Sequence, residues 1–138
     1  MAIRMDRDQL NGFLRSSFSD DPGEVIELSD RHALMRLHTS DRHLRPGGTI
    51  SGPTMMGLAD AAMYALVLAN LGPVALAVTT NLNINFYRKP EPGVLHARAS
   101  MLKLGSRLAV GEVLLYTDDA DASVAHVTLT YSIPPARD

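Results

Sequence analysis

The chain has 138 residues, a net charge of -2 and an ordinary apolar share of 46%, which suits one domain with a single core. With no basic tract, nothing points to nucleic acid, and with no cysteine there can be no disulfide, thiolate nucleophile or cysteine-ligated zinc. The opening MAIRMDRDQLNGF lacks the apolar run of a signal peptide, so a soluble cytoplasmic protein is expected.

In chain order, residues 6 to 17 read as a short amphipathic helix, because Leu10, Phe13 and Leu14 recur at i, i+3, i+4. Asp20 to Gly23 is a turn. Glu24 to Ser29 and Ala33 to Thr39 read as paired strands about Asp30-Arg31, with Val25, Glu27 and Ser29 on one side and Ile26 and Leu28 on the other. Residues 41 to 52, DRHLRPGGTISG, form a loop into a long helix over 53 to 71. Pro53 suits the first helical position, Ser51 and Gly52 are candidate caps, and Asn70, Gly72 and Pro73 give the stop signal. Ala75 to Arg88 is then a strand in which Leu82, Ile84 and Phe86 alternate with Asn81, Asn83 and Asn85. Val94 to Leu104, Arg107 to Thr117 and Ser123 to Ile133 follow as strands joined by short turns, which predicts antiparallel pairing.

The long helix organises the rest. It is apolar around its whole circumference, as a buried helix is. At about 28 Å it would also nearly cross a bilayer, but its small residues and the central Asp60 argue against a membrane span. Asp60 is the only Asp, Glu, Lys, Arg or His between Arg45 and Arg88. A buried, unpartnered carboxylate is very costly. Other segments must supply partners, or the group keeps its proton, or it faces a cleft. Each alternative is compatible with a functional acid, and a purely structural acid paired with Arg45 is the plain alternative. One antiparallel sheet curled around this helix is the simplest α+β arrangement. A chain this short leaves one helix face uncovered, so a second copy is expected to cover it.

The residues SGPTMMGLADAA at 51 to 62, V-T-x-x-L-x-I-x-F-x-R-x-P at 78 to 90, G-x-R at 105 to 107 and V-A-H-x-x-x-T at 124 to 130 together resemble the hotdog-fold acyl-CoA thioesterases. The nearest branch is the phenylacetate-pathway type, and the resemblance covers residues 24 to 133. It implies that Asp60 is the base or nucleophile and that the Gly52 N–H polarises the thioester carbonyl. It further implies that Thr79 helps hold the attacking water on the partner's side of a shared cleft, with Thr80 the neighbour to weigh against it. The family's loop reads N-x5-H-G-G. Here Arg45 stands at the Asn position, Ser51 at the His position and Pro53 at the second Gly. Arg brings a permanent charge that Asn lacks. Arg45 is expected to line the cleft, facing either Asp60 or the acyl end of the ligand.

The chemistry stands independently of the resemblance. A carboxylate can take a proton from water or attack a thioester carbonyl itself, and an N–H at a helix N-terminus suits an oxyanion. Tyr64, one turn beyond Asp60, is a packing residue or part of the acyl pocket. Arg88, Lys89 and Arg107 are surface charge or ligands for the phosphates of coenzyme A. The five histidines show no metal-ligand spacing, and no Gly-x-Ser-x-Gly elbow is present. The expectation is therefore a homodimeric or homotetrameric acyl-CoA thioesterase with no cofactor, metal, nucleic acid or membrane. The alternatives are a non-catalytic acyl-CoA-binding protein and, less favoured because the helix has no His, a hotdog dehydratase or hydratase.

Overall fold

The computed structural model describes residues 2–74 and 76–135. Helix α1 spans Arg7–Ser17. Asp6 caps it reciprocally with Gln9: the Asp6 carboxylate accepts from the Gln9 N–H at 2.8 Å, and the Asp6 N–H donates to the Gln9 side chain at 2.9 Å. Leu10 and Leu14, the predicted face, are buried.

Strands β1 (Glu24–Leu28) and β2 (His32–His38) form the predicted hairpin. The alternation expected through Val25, Glu27 and Ser29 does not hold, because the register shifts between Val25 and Glu27. A bulge inserts one residue and breaks the period of two, so Val25 is buried and Glu27 exposed.

Helix α2 spans Gly52–Leu71. Ser51 is its N-cap, accepting from the Thr54 N–H at 3.2 Å, and Gly72 ends it with φ 89°, a conformation that favours glycine. Four strands follow: β3 (Val78–Phe86), β4 (Val94–Leu104), β5 (Leu108–Tyr116) and β6 (Ala125–Ser132). The start expected for β3 at Ala75 lies outside the described residues.

All six strands form one sheet in the order β1-β2-β4-β5-β6-β3, with every pair antiparallel. β3 does not lie beside its sequence neighbour β4. The connection crosses the end of the sheet, where the Pro90 carbonyl accepts from the Ile50 N–H at 2.9 Å, and β3 becomes an edge strand beside β6.

The sheet curls around α2, whose Met63, Leu66, Val67 and Leu68 are fully buried. The approach is close: a Cβ on Gly111 of β5 would collide with the Met63 thioether. By length and composition α2 could cross a bilayer, but here it is the core helix of a hotdog fold.

Coverage of α2 is uneven. Pro53, Met56 and Gly57 are exposed and Asp60, Ala61 and Tyr64 half-buried. These positions recur at i, i+3, i+4, i+7, i+8 and i+11, so they form one helical stripe that the sheet leaves open. Asp60 sits on that stripe. The helix's other polar residue near its far end, Asn70, is 5% exposed, and its amide donates to the Asp30 and Leu66 carbonyls, each at 2.9 Å.

Candidate active site

Three elements meet at Asp60. The Thr79 hydroxyl, at the start of β3, donates to Asp60 Oδ1 at 2.6 Å. The Tyr131 hydroxyl, on β6, donates to the same oxygen at 2.6 Å and lies 3.1 Å from the Asp60 backbone carbonyl. Thr79 and Tyr131 face each other directly across the β3–β6 pair. The register shift between Thr79 and Asn81 separates the two threonines. Thr79 turns to Asp60, while exposed Thr80 bonds the Thr130 carbonyl at 3.2 Å. Of the two candidates, only Thr79 belongs to this group.

Among the described residues, Asp60 Oδ2 has no hydrogen-bond partner, and no side-chain polar atom is both buried and unpartnered. Oδ2 is therefore open to solvent. Asp60 lines a cavity of about 750 Å³ together with Thr79 and Tyr131, the apolar Phe18, Leu58, Tyr64 and Val78, and the acidic Asp20 and Asp21. Tyr64 stacks on Tyr131 with centroids 5.9 Å apart and planes 17° apart, and Phe18 meets Tyr64 edge-on at 6.4 Å. Burial, and then the adjacent Asp60 charge, push the Tyr131 phenol far above its ordinary range. Burial also raises that of Tyr64. Tyr131 is thus a constant donor.

Sequence reasoning missed Tyr131. The signal was present in the inward alternation of β6, which buries Val127, Leu129 and Tyr131, since a buried tyrosine hydroxyl needs a partner. His43 was missed too. It lines the same cavity, and its Nδ1 lies 2.9 Å from the Ser40 N–H, which places the proton of the neutral ring on Nε2.

The remaining expected residues lie elsewhere. Arg45, Gly52, Arg88 and Lys89 line a second cavity of about 310 Å³ beside the N-terminus of α2. Gly52 and Asp60 are separated by two helical turns plus about 80°, and the Phe86 ring covers Gly52, 3.3 Å from where a Cβ would be. Within one chain, then, Gly52 and Asp60 line different cavities. Among the described residues Arg45 makes no ion pair with Asp60, whose partners are the Thr79 and Tyr131 hydroxyls, so of the two alternatives weighed for Arg45 the pairing with Asp60 is not formed. Ser51 is occupied as a helix cap and shares a 2.8 Å hydrogen bond with Thr54. Arg88 donates to the Ser123 carbonyl at 3.1 Å. Arg107 is exposed in the β4–β5 turn, near the end of the sheet where β3 begins. The Gly52 N–H has no acceptor among the described residues, as is common in the first turn of a helix. No group of three His, Asp or Glu able to hold a metal occurs among the described residues.

A crystal structure from Silicibacter sp. TM1040, of a protein provisionally assigned as a thioesterase, is 50% identical with a TM-score of 0.89, covering 98% of this chain and 96% of its own. A mutant of the phenylacetic acid degradation protein PaaI from Thermus thermophilus is 26% identical with a TM-score of 0.71, covering 80% of this chain and 92% of its own. A provisionally assigned esterase from Thermoplasma acidophilum is 28% identical over 104 residues, 75% of each chain. The family model described as the thioesterase superfamily matches residues 47–123, more than half of the sequence, and the chain belongs to that superfamily of thioester hydrolases.

Proposed function

We propose that the protein hydrolyses an acyl-CoA thioester, with Asp60 accepting the proton of the attacking water. The observation that carries this reading is the carboxylate itself: one oxygen is held by two hydroxyls, the other has no partner, and the residue lines a mostly apolar cavity. Water attacks the carbonyl carbon as Asp60 takes its proton. The resulting oxyanion needs a preorganised donor, and the unpartnered Gly52 N–H at the α2 N-terminus is the group of that kind nearest in sequence. Collapse of the tetrahedral intermediate breaks the C–S bond, and the departing thiolate takes the proton back from Asp60.

Gly52 opens on the other cavity, so this reading requires a second copy. The uncovered α2 stripe and the edge strand β3 support one. β3 spans about 26 Å at roughly 3.3 Å per residue. Two copies of β3 paired antiparallel about Leu82 would bring the Thr79 end of one against the Phe86 end of the other. Asp60 of one subunit would then meet Gly52 of its partner, in a homodimer that could pair further into a tetramer. On this reading Arg45 faces the ligand, and Arg88, Lys89 and Arg107 attract the coenzyme A phosphates. The reaction uses no cofactor, and a cytoplasmic location fits a coenzyme A ester as substrate.

The test pairs light scattering with thioester cleavage for wild type and the N81D/N83D double variant, which sets like charges against each other across the proposed strand pair. Dimeric, active wild type and monomeric, inactive variant are expected. Full activity in a monomer would overturn the shared site. Binding of acyl-CoA by the wild type without turnover would leave a non-catalytic acyl-CoA-binding protein instead.

A further inference from the structure

We propose that Tyr131 is a positioning residue that divides the Asp60 carboxylate into a held oxygen, Oδ1, and a working oxygen, Oδ2. This deepens the proposed function and rests on it. A carboxylate left to itself presents two equivalent oxygens and turns freely about its last bond. Here the Thr79 and Tyr131 hydroxyls both donate to Oδ1, each at 2.6 Å, within the short range of bonds from a hydroxyl to an ionised acceptor.

A tyrosine hydroxyl carries one proton. The Asp60 backbone carbonyl, 3.1 Å away, would by itself satisfy a buried tyrosine, so satisfying the phenol does not require the shorter bond to the side chain. Tyr131 cannot swing aside. It is 2% exposed, lies opposite Thr79 on the neighbouring strand, and is stacked on Tyr64 one turn along α2. The two donors approach from β3 and β6 and fix the plane of the carboxylate from both. An oxygen already accepting two hydrogen bonds is a poor place to receive a third proton, and Oδ2, solvent-accessible and without a partner, is the better one. The water to be activated therefore belongs on the Oδ2 side, facing the cavity.

Steady-state kinetics on benzoyl-CoA and hexanoyl-CoA for wild type, Tyr131→Phe, Thr79→Val, Thr79→Ser and Asp60→Asn test this. Tyr131→Phe keeps the ring stack and removes only the hydroxyl. It should lower kcat by about tenfold to a hundredfold, the range a misplaced reacting group costs, with KM within about threefold of wild type, the pattern of an interaction that matters in the transition state rather than in binding. Thr79→Val should behave likewise, and Thr79→Ser should recover most of the rate. Turnover by folded Tyr131→Phe within about threefold of wild type would overturn the inference. So would a joint change in kcat, KM and melting temperature that Thr79→Ser reproduces, since that marks a merely structural role. An active Asp60→Asn sinks the proposed function itself. An inactive Asp60→Asn beside an unaffected Tyr131→Phe sinks only the positioning role.

Discussion

The two ends of α2 treat a polar side chain in opposite ways. Near one end Asn70 is buried, and its amide is spent on the Asp30 and Leu66 carbonyls. Nearer the other, Asp60 is half-buried, engaged on one oxygen and open on the second. Both interrupt an apolar helix, and burial alone would rank Asn70 as the more unusual. The difference lies in what each one lines. The two N–H donors of Asn70 close within the chain and tie elements together, whereas Asp60 has an unpartnered oxygen and lines a cavity, where it can act on something that enters.

Exchanging amide and carboxylate at the two positions puts this contrast at risk. Asp60→Asn should lower thioester hydrolysis by at least ~100-fold, the lower end for loss of a general base. The fold should persist, because the Asn oxygen can still accept from Thr79 and Tyr131. Its thermal stability should equal or exceed that of wild type, since a charge leaves an apolar setting. Near-normal turnover would erase the distinction between the two ends.

The reciprocal change, Asn70→Asp, should leave kcat of the folded fraction unchanged but cost about 3 kcal/mol or more, because a carboxylate would face two carbonyl oxygens with nothing to donate. Denaturant titration reads this directly, and a change below about 1 kcal/mol would show that the amide bonds matter little.

A smaller effect concerns alkaline pH. Burial, then the Asp60 charge, hold the Tyr131 phenol protonated in the fold, while the unfolded chain ionises near the ordinary value of 10.0. The contribution is whole below that value and is lost as pH rises above it, because the unfolded state releases its proton first. Melting temperature should therefore fall between about pH 9.5 and 11, less steeply for Tyr131→Phe, with Tyr64 supplying part of the remaining slope. Identical slopes would show that the Asp60 end does not hold its phenol in the way described.

Much of this was legible in the sequence. The apolar circumference of residues 53 to 71 predicted a core helix and Ser51 and Pro53 its start, and the lone Asp60 stood out as the residue on which the proposed chemistry turns. The resemblance supplied the fold, and the structure agrees. Local pattern could not reveal which strands become neighbours. A short connection from β3 to β4 reads as a hairpin, yet β3 pairs with β6. That pairing sets Tyr131 beside Asp60, 71 positions away in sequence, and Tyr131 lies beyond the residues 47–123 that the family model matches. Bulges were equally invisible: one reversed the expected face of β1, and another decided between Thr79 and Thr80. Arg45 looked like the natural partner of Asp60 because charge was counted along the chain, whereas two uncharged hydroxyls do that work in space.

The sheet order also bears on how the protein is made. β3 has one neighbour within the chain, and that neighbour, β6, is the last strand to be synthesised. While a ribosome is still adding β4 and β5, α2 already carries Asp60, but Thr79 has no ladder to hold it and Tyr131 does not yet exist. Closing that long-range contact is entropically demanding and slow compared with the local hairpins β1–β2 and β4–β5. The Asp60 carboxylate of a nascent chain is thus not held by its two hydroxyl partners until the last strand pairs, and its surroundings are completed by that final pairing rather than by the helix that bears the acid.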